Sequence, residues 1–268
     1  MSDLKEEEEV KFDLNSALES LSSLVESYNS EIYIPSKKEK ISVKEINASQ
    51  QKELLSAAID NSIFNTNFIN VFYKILSEIL PEDYLKTLTI FDKAALAIGI
   101  RKQISDTLKV QNDEKSEKFD ISLSDIIKNF ESYEHPESAK FGDKKLVINI
   151  SVPTLLLEKE YESEMHRKDK TVDEIKTTKD IKDVISKEFL GELSKYIQNV
   201  KIKSAVFDFE TLSFSQRISV VEKLPSSLIQ EILTKLTLWK KELDEVLTVK
   251  LSDSESHTIK IDSLLFIN

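Results

Sequence analysis

Residues 31–57, EIYIPSKKEKISVKEINASQQKELLSA, change their periodicity twice. Apolar and polar residues alternate at 32–34 and again at 40–43, on either side of a Pro-Ser-Lys-Lys segment at 35–38. Such a pattern is typical of two short strands joined by a turn. An Asn-x-x-Gln capping box follows at 47–50, and from there the apolar residues have helical spacing. The stretch therefore predicts a β-hairpin joined directly to the start of a helix.

Helical spacing dominates the rest of the chain, and a few alternating segments interrupt it. The sequence predicts helices at 14–28, 47–59, 68–79, 91–108, 124–133, 189–197, 213–223 and 226–243, and weak helical character across 154–187. It predicts strands at 119–123 and 146–152, a strand or extended linker at 201–207, and a closing hairpin at 245–251 and 257–261. The predicted fold class is α+β, mainly helical, with short β-hairpins in the N-terminal third and at the C-terminus.

These elements divide the sequence into four regions. The regions are an acidic tail and amphipathic helix at 1–30, a hairpin plus helical module at 31–110, a charged middle segment with a strand at 111–200, and a helical pair with a closing hairpin at 201–268. Neither 31–110 nor 205–268 is large enough to form a generous core alone. We therefore expect these two parts to pack together across the middle segment.

Apolar residues occupy nearly every face of the predicted helix at 91–108, which indicates that this helix is buried. We expect Phe91 to anchor it in the core. Arg101 is the odd member of this apolar helix. It either pairs with a carboxylate at an inner site or extends its guanidinium to the surface, and we expect the surface position.

Composition limits the classes of function. The chain of 268 residues has 48 acidic and 37 basic residues and a net charge of −11, which disfavours a nucleic-acid binder because phosphates are repelled. It has no cysteine, which excludes disulfides, thiolate chemistry and cysteine-bound zinc. Its glycines, Gly99, Gly142 and Gly191, are too far apart for a phosphate-binding loop. We therefore expect no cofactor and no nucleic-acid partner.

The sequence also lacks the usual signals for membrane targeting. The first ten residues, MSDLKEEEEV, are acidic where a secretory leader is basic and then apolar. The longest apolar run, Ala94 to Ile100, is too short to cross a bilayer. We expect no membrane partner and a location in the cytoplasm.

One motif is typical of an enzyme. Asp208 and Glu210 follow an apolar strand in the pattern Asp-x-Glu-Thr, which resembles the first motif of proofreading exonucleases, where two carboxylates bind catalytic metal ions. His257 and Asp262 have a spacing that suggests the last motif of such an enzyme. Only 46 residues separate Glu210 from His257, however, and they are mostly helical in pattern. We interpret Asp208 and Glu210 as solvated residues before a helix that begins near Ser213, and a metal-dependent nuclease is the alternative function.

The opening stretch also carries a family resemblance. Residues 32–60, with the later segment LTIFDKAALAIGIRKQISD at 88–106, resemble the baseplate hub proteins of T-even-type contractile-tailed phages. The matching positions are Ile34, Pro35, Ser36, Gln51, Lys52, Leu54, Leu55, Phe91, Asp92, Leu96, Arg101 and Ser105. The C-terminal segments at 210–236 and 257–266 are similar to the paired helices and the closing strand of that family.

The resemblance implies a non-enzymatic role in building the tail. Members of this family are hub components or hub assembly factors, so it implies that this chain either becomes part of the virion baseplate or acts as an assembly chaperone. The implied partners are other phage tail baseplate hub proteins, met in the host cytoplasm during assembly. Some relatives carry a cysteine-containing hairpin near the C-terminus, and this chain has no cysteine, so no metal is expected there.

Three parts of the sequence are candidates for the contact with a partner. Leu14, Leu18 and Leu21 form one stripe of the first helix, and such a stripe can bind by lying in a groove. The other candidates are the opening hairpin, with Tyr33 and Pro35, and the apolar C-terminus, with Leu264, Leu265 and Phe266.

Overall fold

The computed structural model describes residues 13–59, 66–111, 118–166, 178–252 and 255–267, so the predicted acidic tail at 1–10 lies outside the described residues. The helices are α1 (Leu14–Ser27), α2 (Ala48–Ile59), α3 (Thr66–Ile79), α4 (Tyr84–Thr87), α5 (Asp92–Ile104), α6 (Leu123–Glu131), α7 (Leu155–His166), α8 (Thr178–Tyr196), α9 (Phe214–Val221), α10 (Ser226–Val246) and α11 (Leu264–Ile267). The strands are β1 (Asn29–Ile34), β2 (Glu39–Lys44), β3 (Thr107–Gln111), β4 (Lys118–Ser122), β5 (Ala139–Gly142), β6 (Leu146–Ile150), β7 (Ile197–Ile202), β8 (Ala205–Asp208), β9 (Thr248–Lys250) and β10 (Ser256–Thr258).

Helical residues outnumber strand residues by more than two to one, and every sheet is antiparallel, so the α+β prediction is confirmed. The capping box also forms as predicted, because the side chains of Asn47 and Gln50 each accept the backbone N–H of the other residue at 2.9 Å. Within the described ranges, no helix combines the length and the apolar character needed to cross a bilayer.

The opening hairpin is an integral part of the first core. β1 and β2 pair with Ile32 opposite Ile41, and the alternation places Ile32, Ile34, Ile41 and Val43 on one buried face. This face lies against α5, where a Cβ added to Gly99 would come within 2.6 Å of Cδ1 of Ile32. Glycine therefore allows the hairpin to approach the helix closely.

Helix α5 is buried on all sides, as its composition predicts, but it is shorter than expected. It ends at Ile104, and Ser105 is extended with φ −162° and ψ 135°. Leu108, predicted as the last helical residue, lies in β3 opposite Ile121. The β-branched residues Thr107 and Val110 favour a strand here, and pairing with β4 outweighs the helical spacing.

The buried apolar side chains of the described residues form two cores. The first core lies under the opening hairpin and contains side chains of α2, α3, α5 and α6 together with those of α11. The second core lies on the sheet β5-β6-β7-β8 and contains side chains of α8 and α10. Leu243 and Val246, near the end of α10, pack against both cores.

The predicted charged middle segment at 111–200 contributes to both cores rather than forming a separate region. Phe130 of α6 lies fully buried in the first core, and Ile148 and Ile150 of β6 lie fully buried in the second. Two backbone hydrogen bonds pair 88–90 with 153–155 where the cores meet. The N–H of Leu155 donates to the carbonyl of Leu88 at 2.8 Å within the first core, and the N–H of Ile90, a residue of the second core, donates to the carbonyl of Pro153 at 3.0 Å.

Several predicted boundaries shift within the C-terminal half. The single strand or extended linker expected at 201–207 is instead the end of β7 and most of β8, which pair with each other. The helix expected at 189–197 is the end of the longer helix α8, and Ile197 already belongs to β7. The closing hairpin is shorter than predicted, because α10 continues to Val246 and β9 begins only at Thr248.

Candidate partner-binding surface

Helix α1 lies outside both cores. Its first turn is capped by Asp13, whose Oδ1 accepts the backbone N–H of Ser16 at 2.9 Å. None of the described side chains of α1 is buried, and none belongs to either core. Since only Tyr28 separates α1 from β1, this exposed helix is joined almost directly to the rigid hairpin.

Leu14, Leu18 and Leu21 form an exposed apolar stripe on α1, which we call the leucine stripe. Their exposed fractions are 74%, 52% and 56%. Burying a leucine side chain contributes roughly 1.5–3 kcal/mol, so covering all three would supply several kcal/mol toward binding. A helix of this length is only marginally stable in water without packing. A partner that covers the leucine stripe would therefore also stabilise α1.

The hairpin residues Tyr33 and Pro35 are less accessible than the leucine stripe. Pro35 is buried, and Tyr33 is half-buried and packs against the first core. The turn that follows Pro35 is also held in place, because the N–H of Ser36 donates to Oδ1 of Asp92 at 2.9 Å. Tyr33 and Pro35 are therefore largely packed into the protein, and little of their surface is accessible to a partner.

The three C-terminal candidates separate into two environments. Leu264 is 56% exposed, whereas Leu265 and Phe266 are only 2% and 4% exposed and belong to the first core. The ring of Phe266 lies 5.7 Å from that of Phe68, measured between centroids. Leu265 and Phe266 would have to leave the core to contact a partner, so only Leu264 of this group is an accessible candidate.

The expectation that Arg101 reaches the surface is wrong. Its side chain is 5% exposed, and its guanidinium lies among backbone carbonyls. Nε donates to the carbonyl of Leu265 at 3.0 Å, and the terminal nitrogens donate to the carbonyls of Ser105 at 3.0 Å and Thr107 at 3.3 Å. Burial lowers the pKa of Arg101 from its usual value. Arg101 therefore fastens the C-terminal segment to the end of α5.

Of the residues of the nuclease alternative, Asp208 and Glu210 are exposed, whereas His257 and Asp262 are half-buried. Asp208 accepts the N–H of Glu210 at 3.0 Å and caps a short 3₁₀ turn, and both side chains are exposed. His257 lies in β10, and Asp262 accepts the N–H of Leu264. Among the described residues, no group of three or more histidine, aspartate or glutamate side chains is arranged to hold a metal ion.

A second exposed apolar surface, which the sequence patterns did not indicate, lies at the edge of the four-stranded sheet. β8 is an edge strand, and its Val206 and Phe207 are 60% and 44% exposed. Beside them lies a groove of about 580 Å³ that is lined mostly by apolar side chains, among them Ile202 and Leu212. The consecutive apolar residues Val206 and Phe207 indicate a strand in the sequence, but such a run does not show whether the strand is buried or exposed.

A buried network of charged side chains joins α3, α5, α7 and α8. Glu158 is 6% exposed and receives hydrogen bonds from Tyr73 and from Lys93, the latter at 2.8 Å. Lys195 is 5% exposed and lies 3.7 Å from Glu158 and 2.6 Å from Glu192. Burial alone would raise the pKa of Glu158, but the charges of Lys93 and Lys195 outweigh it and lower that pKa to about 2. The network holds the helices together, and each charge has an opposite partner.

A hydrogen-bonded chain also connects His135 to the start of α5. Nε2 of His135 lies 2.9 Å from the hydroxyl of Thr89, which donates to Oδ2 of Asp92 at 2.8 Å. With Asp92 as a carboxylate, the Thr89 hydroxyl accepts the Nε2 proton of His135. Burial lowers the pKa of His135 and outweighs the opposing charge of Asp92. Because the carboxylate contacts the threonine rather than the histidine, the arrangement differs from a nucleophilic triad.

The accessible members of the predicted contact set are therefore the leucine stripe and Leu264. Comparison of the chain with protein-family models, with curated proteins and with solved structures gave no significant match.

Proposed function

We propose that this chain is a non-enzymatic component or assembly factor of a phage tail baseplate hub, and that it acts by binding another hub protein. The observation that carries the proposal is the leucine stripe, which α1 holds outside both cores. The sequence resemblance to hub proteins supplies the class of partner. In this account the chain meets its partner in the host cytoplasm, as a chaperone or on its way into the baseplate.

The short connection between α1 and the opening hairpin supports this proposal. An exposed apolar helix on a flexible linker would lose much conformational freedom on binding. Here Tyr28 alone connects α1 to β1, and the hairpin is fixed on α5 by its buried isoleucines. Less freedom is therefore lost when a groove covers the leucine stripe.

Baseplate assembly in infected cells tests the proposal. Deletion of residues 1–28 removes α1 and leaves both cores in place, so it should lower the yield of assembled baseplates and infectious particles. The double substitution Asp208→Ala with Glu210→Ala should leave the yield nearly unchanged. Deletion of 264–268 is not an equivalent test, because it removes Leu265 and Phe266 from the first core. The exposed Leu264→Ser is the better variant there.

The opposite result would support the nuclease. If the double substitution abolished assembly, deletion of 1–28 had no effect, and the purified chain degraded DNA only with a divalent metal ion, the assembly role would be wrong.

A further inference from the structure

A cleft of about 940 Å³ opens between the loop after α6 and the C-terminal half of α10. The hairpin turn contributes Lys38 to its rim, and the loop contributes Tyr133 and His135. Trp239, the single tryptophan of the chain, lines the cleft from α10 and is only 1% exposed. A space of this size is within the range that holds small ligands or a few residues of a peptide. The cleft lies on different elements from the leucine stripe.

Carboxylates dominate the charged groups of the cleft. Glu134, Glu137, Glu242 and Glu245 line it, against the ammonium groups of Lys38 and Lys235. Of the four, Glu245 lies 3.7 Å from Lys241, and within the described part of the chain the other three form no ion pair. Two more negative than positive side chains therefore face the space, which favours a cationic ligand.

A buried hydroxyl in the wall of the cleft points independently to a ligand. Tyr133 is 7% exposed, and among the described residues its hydroxyl has no hydrogen-bond partner. Leaving such a group unpaired is unfavourable, and a polar group that enters the cleft and reaches this hydroxyl would pair with it. Burial and the charge of Glu242 raise the pKa of Tyr133, so the hydroxyl stays neutral and can accept an ammonium N–H.

We propose that this cleft binds a lysine- or arginine-bearing peptide segment of a partner protein. The cationic side chain lies against Glu242 and the Tyr133 hydroxyl, and the exposed Glu134 and Glu137 attract flanking basic residues. A peptide fits better than a free ion because the cleft, at about 940 Å³, is far larger than a single ion. The proposal goes beyond the hub role, because it adds a second contact surface with its own charge preference.

Trp239 provides a direct reporter for the test. The full chain is titrated with a blocked tetralysine peptide, and tryptophan fluorescence is followed with calorimetry as a second measurement. We expect a saturable change with tetralysine and none with tetraglutamate at the same ionic strength. The double variant Glu137→Gln with Glu242→Gln should weaken binding about tenfold, since two nearby charges are lost.

A charge-matched control distinguishes binding in the cleft from nonspecific electrostatic attraction between the cationic peptide and the acidic protein. Glu222→Gln with Glu231→Gln changes the net charge equally, but these residues do not line the cleft. Tyr133→Phe should weaken binding severalfold without lowering the denaturation midpoint, because it removes an unpaired buried hydroxyl. Equal weakening by both double variants, a preference for tetraglutamate, or undiminished binding by Tyr133→Phe would overturn the proposal. None of these results depends on whether the leucine stripe binds a hub protein.

Discussion

The carboxylate of Asp92 accepts the backbone N–H of Ser36 at 2.9 Å, which joins the turn of the opening hairpin to the first turn of α5. Its other oxygen accepts the N–H of Thr89 at 2.7 Å and the Thr89 hydroxyl at 2.8 Å. Asp92 is completely buried. One side chain therefore fixes two parts of the chain that are 56 residues apart.

Replacing Asp92 should loosen the hairpin. Asp92→Ala leaves the N–H groups of the half-buried Ser36 and Thr89 without their acceptor, and at about 1–3 kcal/mol for each unpaired donor we expect a loss of several kcal/mol in the free energy of unfolding. Urea denaturation measures the loss, and hydrogen exchange should show faster exchange at the Ser36 amide. Asp125→Ala is the control, because Asp125 is exposed in the first turn of α6 and should change stability by less than about 1 kcal/mol. Equal midpoints for the two variants would contradict this role of Asp92.

Phe91 is 3% exposed and belongs to the second core, although the helix that follows it belongs to the first. Phe91→Ala should therefore cost about 3–5 kcal/mol, the range for truncating a buried aromatic side chain. The control is Phe189→Ala, which removes a ring that is 44% exposed, so a much smaller change is expected. An unchanged denaturation midpoint for Phe91→Ala would show that the ring is not buried in solution.

Arg101 should control the attachment of the C-terminal segment. Arg101→Met keeps an apolar stem but removes the donors to the carbonyls of Ser105, Thr107 and Leu265, and we expect a loss of about 2–5 kcal/mol. Amides at 264–267 should exchange faster in this variant. Lys102→Met, at the exposed neighbouring position, should change neither quantity. Normal protection of 264–267 in Arg101→Met would mean that the guanidinium does not hold this segment.

The buried network predicts a specific dependence on pH. The folded-state pKa of Glu158 is lowered to about 2 from an ordinary value of 4.5, so its charge stabilises the fold above pH 4.5. This contribution is lost as the pH falls from 4.5 toward 2. At pH 7, Glu158→Gln should cost about 3–5 kcal/mol, because the buried Lys195 loses one of its partners.

The difference in the free energy of unfolding between the unmodified chain and Glu158→Gln should therefore become smaller as the pH falls. Urea denaturation of the unmodified chain and of Glu158→Gln between pH 7 and pH 2 measures it. Glu160→Gln, an exposed substitution on the same helix, controls for general acid effects. A difference that stayed constant down to pH 2 would contradict the lowered pKa of Glu158.

Local patterns were sufficient for the elements whose contacts are local. The capping box at 47–50 and the alternation around the opening turn predicted α2 and the first hairpin close to their observed bounds. Two elements of the four-stranded sheet could not be found in this way. β5 has only four residues, and β7 follows α8 without a break, so Ile197 continues the helical spacing.

The environment of single side chains depends on distant parts of the chain. Arg101 is buried because carbonyls at 105, 107 and 265 surround its guanidinium, and no sequence pattern connects these positions. Leu264 and Leu265 are adjacent and equally apolar, but α11 exposes one and buries the other. The leucine stripe could be predicted as one face of a helix, whereas its exposure required the structure.

Binding of the leucine stripe to a hub protein is the most direct test of the proposed function. The chain is co-expressed with each tail baseplate hub protein encoded by the genome that the chain comes from, and the affinity of any captured pair is measured. We predict that one hub protein binds and that the triple variant Leu14→Ser with Leu18→Ser and Leu21→Ser weakens this binding at least about 100-fold, since each leucine contributes roughly 1.5–3 kcal/mol. Ser20→Ala with Ser23→Ala, on the polar face of α1, should leave the affinity unchanged, and neither variant should shift the denaturation midpoint. Capture of no hub protein, or full affinity in the triple leucine variant, would contradict the proposed function.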